Sequence, residues 1–551
     1  MDLPGNLTVG RLVEQRAEHF GDREYLVFED AGGAVQVLTY SDLELRTNAV
    51  ANSLVAQGLT RGDRVLVMLR NSVEFVVAIL AAAKMGAVSV PVNTASVGPD
   101  LRHVLNLVEP RATIAHVDYA DLVAGEAALV GTVVLAAVVG EPVGGSARSE
   151  ARRAAVPWDR LAQGDPGAVP HDGSSDDLLQ LLMTSGTTAR PKAVMHTHAN
   201  RIRSGYRVTA TCRLFPEDRS LSAFPAFHVN CLDGTLFAAL VSGGTAVLLE
   251  EFSARRFWDQ VTHHRATIVP LLPTVIRALL ARPPSAADRE HSVRYVGTGL
   301  HLSSEELEQF AQRYGIPAIT TGYGLTEAST GVLSTLQEGD QHYPSIGMPL
   351  LDRMVELVDE NDAPVEVGQT GEIVVQGTPG RTVMLGYYGD PEATKEALRE
   401  GWLHTGDLAQ RDADGYFYFM GRSKDMIKRS GENVAAQEVE VAVLEHEAVL
   451  EVAVVGAPDP FRDEAVKAFV ILRPGASLEL DALKAHCASR LADFKIPTLL
   501  EVVDDLPRGL LGKVDKKVLR AREQAIAAER STEVRTSSDT TRRSAREGVS
   551  T

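Results

Sequence analysis

The stretch Asn71–Val92, NSVEFVVAILAAAKMGAVSVPV, constrains the fold of this chain more than any other. Its apolar residues run through a helical segment, Gly86 stops it, and a short β-type run follows, ending at Pro91. A helix that hands the chain straight to a buried strand is the building step of a layered α/β protein. The same change of pattern is read at Phe237–Leu249, Ala266–Leu280 and Leu307–Thr320, each as a helix leading into a β-branched run. An α/β architecture follows. The 551 residues exceed what one hydrophobic core usually serves, and 44% hydrophobic with 23% charged residues is globular composition, so several domains or subdomains are expected.

Further along, Gly140–Asp177 is rich in Gly, Ser, Pro, Arg and Asp and reads as a surface connection before the apolar strand LLQLLM, Leu178–Met183. From Ala436 the pattern changes to a small α+β module. It has a helix through Leu444, strands at Glu451–Gly456 and Ala465–Leu472, and a helix at Leu480–Leu491. Ser531–Thr551 has almost no large apolar side chains and is expected to be disordered.

Charge narrows the function. A formal net charge of −18 gives no broad footprint for nucleic acid, so an anionic ligand needs a local basic site. Cys212, Cys231 and Cys487 are odd in number and far apart, which fits neither a zinc site nor a secreted disulfide framework and points to the cytoplasm. The first residues lack the pattern of a signal peptide, and no run of about 18 apolar residues suggests a membrane span.

The chemistry is carried by Thr184–Lys192, TSGTTARPK, placed directly after the apolar strand. Backbone N–H groups of a tight turn and Ser and Thr hydroxyls donate to phosphate oxygens, and a lysine supplies positive charge. The segment resembles the TSGTTG-x-PKG signature of adenylate-forming enzymes. Further matches follow in order to about Leu519: FPAFH (Phe224–His228), GYGLTE (Gly322–Glu327), Gly371–Glu372, Gly386–Tyr387, WLHTGD (Trp402–Asp407), Gly421–Arg422, SGENV (Ser430–Val434) and Gly512–Lys513. SARRFWDQV, MIKRSGENV and RDEAVKAFV look especially like the carnitine and crotonobetaine CoA ligase branch.

The resemblance implies an acyl-CoA ligase that makes an acyl-adenylate from a small-molecule carboxylic acid, ATP and Mg2+, then passes the acyl group to coenzyme A. It implies a large N-terminal AMP- and acyl-binding domain (1–421), a hinge (422–424, at Lys424), a mobile C-terminal lid (425–523) and a tail (524–551). Thr184, Ser185, Gly186, Thr187, Thr188 and Lys192 would form the phosphate loop. Thr326 and Glu327 would lie beside it, with Glu327 as the metal ligand. Gly297, Thr298 and Gly299, with Gly322, Tyr323 and Gly324, would hold the adenine, and Asp407 with Arg422 the ribose. His228 would gate the acyl pocket, Lys513 would serve adenylation, and Ser430 and Gly431 would line the pantetheine tunnel. The pocket would draw on Phe227–Thr235, Thr298–Leu302 and Thr321–Gly331, with Gly234, Ala328 and Ser329 leaving room for a bulky acyl group.

Two positions depart from the pattern: Ala189 and Ala193 stand where the signature has glycine. Placed in the phosphate loop, their Cβ atoms would hinder the β- and γ-phosphates, which an acyl-adenylate lacks. Three functions are therefore weighed: full ATP-dependent ligation, transfer of a preformed adenylate supplied by a separate adenylating enzyme, and an inactive acyl- or nucleotide-binding protein.

Overall fold

The computed structural model describes residues 7–140, 154–170, 173–184, 191–299, 302–338, 342–422, 425–429, 432–459, 463–508 and 514–527. The chain divides into two compact units. One comprises 1–358, 373–405 and 411–418, and the other 359–372, 406–410 and 419–551.

The first unit is built on two large sheets. One runs Met348–Pro349, Thr330–Ser334, Ile319–Leu325, Tyr295–Thr298, Ile268–Leu271, Arg219–Ser222, Thr245–Leu249, Glu24–Glu29 and Val35–Thr39 in spatial order. Its six central strands are parallel, and antiparallel strands close both edges. The other sheet runs Gly386–Tyr387, Lys192–Thr197, Leu178–Thr184, Val88–Pro91, Arg64–Met68, Ala112–His116, Leu135–Val139 and Val156–Pro157. The step read from Asn71–Val92 is present as a helix, Val73–Lys84, leading into the strand Val88–Pro91. That helix is buried on every side, which is why its sequence shows no polar face. One apolar cluster joins it to residues of both sheets, among them Phe28, Val67, Leu182 and Leu248.

One expectation is reversed. In Ala266–Leu280 the strand Ile268–Leu271 comes first and the helix Pro273–Leu280 second. Pro273 at the first helical turn is the physical reason, because proline suits a helix start and not a helix interior.

The second unit has a sheet of Glu432–Ala435, Met426–Arg429, Asp463–Leu472, Val449–Asp459 and Leu499–Val502, with helices Ala436–Leu444 and Leu480–Ala488. Its core is separate and gathers Val439, Val443, Val454, Val466, Val470 and Leu483. The second helix ends three residues before the expected Leu491. Among the described residues no helix is long and apolar enough to cross a membrane.

Asn71 links the fold to the loop after Arg219–Ser222. Its buried side chain donates to the carbonyls of Phe224 (2.9 Å) and Leu249 (2.8 Å) and accepts from the Ala226 N–H (2.7 Å). Asn71→Ala leaves three interior backbone groups unpaired and is expected to cost about 3 kcal/mol, at about 1 kcal/mol or more for each lost partner. Denaturant unfolding monitored in the first unit checks this, and a loss below about 1 kcal/mol would contradict the assignment.

Candidate active site

Parallel strands leave their loops at one edge, and ligands of such sheets sit beyond the carboxyl ends of the strands. Here those ends carry the expected residues. Gly297 and Thr298 close the strand Tyr295–Thr298, paired with Thr320 and Thr321 of the neighbouring strand. That neighbour continues into Gly322, Tyr323 and Gly324, with Tyr323 buried. Gly299 lies beyond the strand end, and a Cβ placed on it would meet no atom within 4 Å. The Thr298 hydroxyl is buried without a hydrogen-bond partner among the described residues.

Thr184 ends the strand Leu178–Thr184, and Lys192 opens its antiparallel partner Lys192–Thr197, the two residues facing each other in register. Ser185, Gly186, Thr187 and Thr188 lie outside the described residues, as does Ala189. Ala193 corrects the sequence reading. It is not a loop residue: it pairs with Met183 inside the strand, its carbonyl accepts the Tyr388 N–H (2.8 Å), and its methyl is buried in a cluster with Val90 and Leu181. Its φ is not positive. A methyl there fills the core, and exchanging it for glycine would weaken the strand.

Beside this strand runs Thr378–Tyr388. Thr197 and Asn200, the capping box of the helix His198–Thr211, hold the carbonyls of Gly380 and Val383. The Met384 N–H donates to the Glu327 carbonyl (2.7 Å), and Leu385 N–H to the Met195 carbonyl (2.9 Å). The result places Tyr387 between two expected site residues. The Lys192 ammonium lies 4.7 Å from the centre of its ring, and its hydroxyl donates to Glu327 Oε1 at 2.9 Å. Burial, the Glu327 charge and this hydrogen bond all raise the Tyr387 pKa, so the phenol keeps its proton. Tyr387 was visible in the Gly386–Tyr387 match, but no chemistry had been assigned to it.

His228 precedes a short helical turn, Val229–Cys231, and its ring lies 4.4 Å from that of Phe227. A π-helical turn, Leu232–Phe237, follows and carries Asp233 inward. A Cβ on Gly234 would meet only Asn230 Oδ1, at 3.8 Å, whereas Ala328 and Ser329 are fully buried.

In the second unit, Arg422 Nε donates to Asp407 Oδ1 at 3.1 Å. The Asp407 side chain is buried and that of Arg422 half-exposed. Lys424, Ser430, Gly431 and Lys513 lie outside the described residues.

The AMP-binding enzyme model matches residues 13–388, and the AMP-binding enzyme C-terminal domain matches 438–513. The chain belongs to the AMP-binding enzyme family. A crotonobetaine/carnitine–CoA ligase of Citrobacter koseri is 36% identical over 529 residues, covering 94% of this chain and 100% of that protein. One from Salmonella typhimurium is 35% identical with the same coverage. Among solved structures, the anthranilate CoA ligase AuaEII with anthranoyl-AMP has a TM-score of 0.85 at 26% identity, covering 96% of this chain and 99% of that one. ATP-bound MatB from Rhodopseudomonas palustris has a TM-score of 0.83 at 30% identity, covering 94% and 100%. This member of the family is an adenylate-forming acyl-CoA ligase.

Tyr387→Phe keeps the ring under Lys192 and removes the hydrogen bond to Glu327. Hydrogen bonds to charged groups contribute about 1.5–3 kcal/mol, so pyrophosphate exchange is expected to fall about tenfold or more. Conversion of supplied acyl-adenylate with CoA is expected to stay within about twofold. Equal losses in both assays would remove Tyr387 from the phosphate site.

Proposed function

We propose that the protein catalyses the full two-step ligation. A carboxylate oxygen of a small acid attacks the α-phosphorus of ATP and pyrophosphate leaves. The thiol of CoA then attacks the acyl carbonyl, loses its proton, and AMP leaves. The observation that carries this reading is the group Lys192, Tyr387 and Glu327, in which one tyrosine holds a cation over its ring and a carboxylate at its hydroxyl, next to the strand ends that flank the expected phosphate loop.

In this reading Thr184, Ser185, Gly186, Thr187 and Thr188 donate to the phosphates and Lys192 balances their charge. Glu327 offers a hard carboxylate oxygen of the kind Mg2+ takes, and a carboxylate has more acceptor sites than the one Tyr387 occupies. Bound Mg2+ would neutralise phosphate charge. Thr326 lies next to Glu327 and faces the same phosphates. Asp407 accepts from the ribose hydroxyls with Arg422 at its side. Gly297–Gly299 and Tyr323 border the adenine, His228 gates the acyl pocket, and Lys513 stabilises charge during adenylation. The hinge at 422–424 lets Ser430 and Gly431 reach the pantetheine arm. Three buried, free cysteines fit a reducing cytoplasm. A ligase restricted to preformed adenylate is not adopted, because Ala193 no longer speaks for it.

The relatives' names make crotonobetaine and carnitine the first acids to try. A carboxylic-acid panel with ATP, Mg2+ and CoA, read by mass for acyl-AMP and acyl-CoA, tests the reaction. Both products should form from at least one acid, with acyl-AMP accumulating when CoA is withheld. Acyl-CoA formation only from added acyl-adenylate would overturn the first step. Asp407→Ala should weaken use of ATP and of acyl-adenylate alike, about tenfold or more, since the ribose is common to both and a charged acceptor is lost. Unchanged affinity for both would take Asp407 out of the site.

A further inference from the structure

The backbone just after Glu327 takes a conformation that needs support. Ser329 has φ +53° and Thr330 φ +81°, consecutive left-handed residues of which the second is β-branched. Such residues persist only where their surroundings over-determine them. Here three arginines supply the surroundings. Arg353, buried, donates from Nη1 to the Thr382 carbonyl (2.6 Å), from Nε to Gly331 (3.2 Å) and from Nη2 to Ala328. Arg207, also buried, donates from Nη1 to the Ser329 carbonyl (2.7 Å), while its Nε and Nη2 grip the Asp352 carboxylate (2.9 and 2.8 Å). Arg201 and Asp233 form a fully buried ion pair at 2.8 Å, and Asp233 accepts from the Thr330 hydroxyl. Ser204 adds a hydrogen bond to Thr330 Oγ1 at 2.7 Å.

The same bonds reach both neighbours of the phosphate site. Ala328 and Gly331 bracket the turn, Thr382 belongs to the segment that delivers Tyr387, and the Glu327 carbonyl is tied to that segment through Met384. Burial would raise the Asp352 carboxyl, but Arg207 and then Arg353 hold it below its ordinary value, so the grip on Arg207 persists at neutral pH. A guanidinium can serve three divergent carbonyls from one plane, which an ammonium cannot.

We propose that Arg353 and Arg207 are positioning residues for adenylation, holding the left-handed backbone at Ser329 and Thr330 so that Thr326 and Glu327 face the metal-bound polyphosphate. This rests on the reading of Glu327 as the metal-binding carboxylate. Neither arginine touches the nucleotide. Their effect is carried by the backbone alone, and it is selective for ligands that bring β- and γ-phosphates with a divalent ion.

The test uses the full-length protein and variants Arg353→Lys, Asp352→Asn and Glu327→Gln. Binding of AMP, and of a non-hydrolysable ATP analogue with Mg2+, is measured by calorimetry, and hydrogen–deuterium exchange is followed in the peptide 325–334. Arg353→Lys and Asp352→Asn should weaken the Mg2+–ATP analogue about tenfold, leave AMP within about twofold, and speed exchange in that peptide. Asp352, whose side chain is 45% exposed, gives the readable variant if Arg353→Lys does not fold. Equal weakening of both ligands, or no change in either, overturns the proposal. Glu327→Gln separates the two claims. If it weakens the Mg2+–ATP analogue and the arginine-site variants do not, positioning is wrong and the Glu327 reading stands. If it has no effect, the Glu327 reading fails and takes the proposal with it.

Discussion

A guanidinium buried among backbone carbonyls is the constraint on which much of the first unit's site geometry hangs. Arg353 has three carbonyl partners and lies beside Arg207, a second buried positive charge. Burial lowers its pKa to about 9, Arg207 adding to the fall and Asp352 opposing it, and the group is still charged at neutral pH. Burying a charge is costly unless hydrogen bonds replace its hydration. The carbonyls of Ala328, Gly331 and Thr382 do so here, and they in turn gain donors where no helix or sheet ladder serves them all. Left-handed conformations cost about 1–3 kcal/mol per residue, so Ser329 and Thr330 together need an offset that charge-assisted hydrogen bonds of about 1.5–3 kcal/mol each can supply. The strained turn and the buried charge are each unfavourable alone and mutually compensating together.

The capping box of the helix His198–Thr211 extends that arrangement. Thr197 and Asn200 satisfy the helix start in the ordinary way, each side chain accepting from the other's backbone. Their remaining donor capacity goes to Gly380 and Val383, and the helix then presents Arg201, Ser204 and Arg207 to the turn at Ser329 and Thr330. One element therefore fixes both the segment carrying Tyr387 and the turn following Glu327. Local helix chemistry and site geometry share the same atoms.

The fold was legible in the sequence because the α/β signal is periodic and local. Asn71–Val92 shows its helix and strand without help, and Ala436–Leu444 has the bounds read for it. The order at Ala266–Leu280 was misread because short apolar runs look alike to either period, and Pro273 was the clue to the helix start. Thr184 and Lys192 were read from the signature, and the structure sets them opposite each other across two antiparallel strands. Ala193 was misplaced because a motif records residue order and not where a strand resumes. The strand already opens at Lys192, and Ala193, the next residue in it, puts its methyl into the core. Arg353 was invisible for a different reason: in LLDRMVELV an isolated arginine reads as surface charge, and only the three carbonyls that converge on it from distant sequence give it a role.

Electrostatics gives the arrangement its last step. A chain of net charge −18 that holds a polyphosphate must keep its local cation available, and a lysine near a carboxylate tends to be neutralised by it. Lys192 and Glu327 both meet Tyr387, the ammonium over the ring and the carboxylate at the hydroxyl. The ring face attracts the ammonium and the hydroxyl donates to the carboxylate, so each charge is oriented by a neutral group. In the proposed reading a phosphate would meet that lysine, and a cation would meet a carboxylate oriented by a phenol that burial keeps protonated. One aromatic residue thus engages two opposite charges, the cation at its ring face and the carboxylate at its hydroxyl, as the proposed site for an anion and its counter-ion requires.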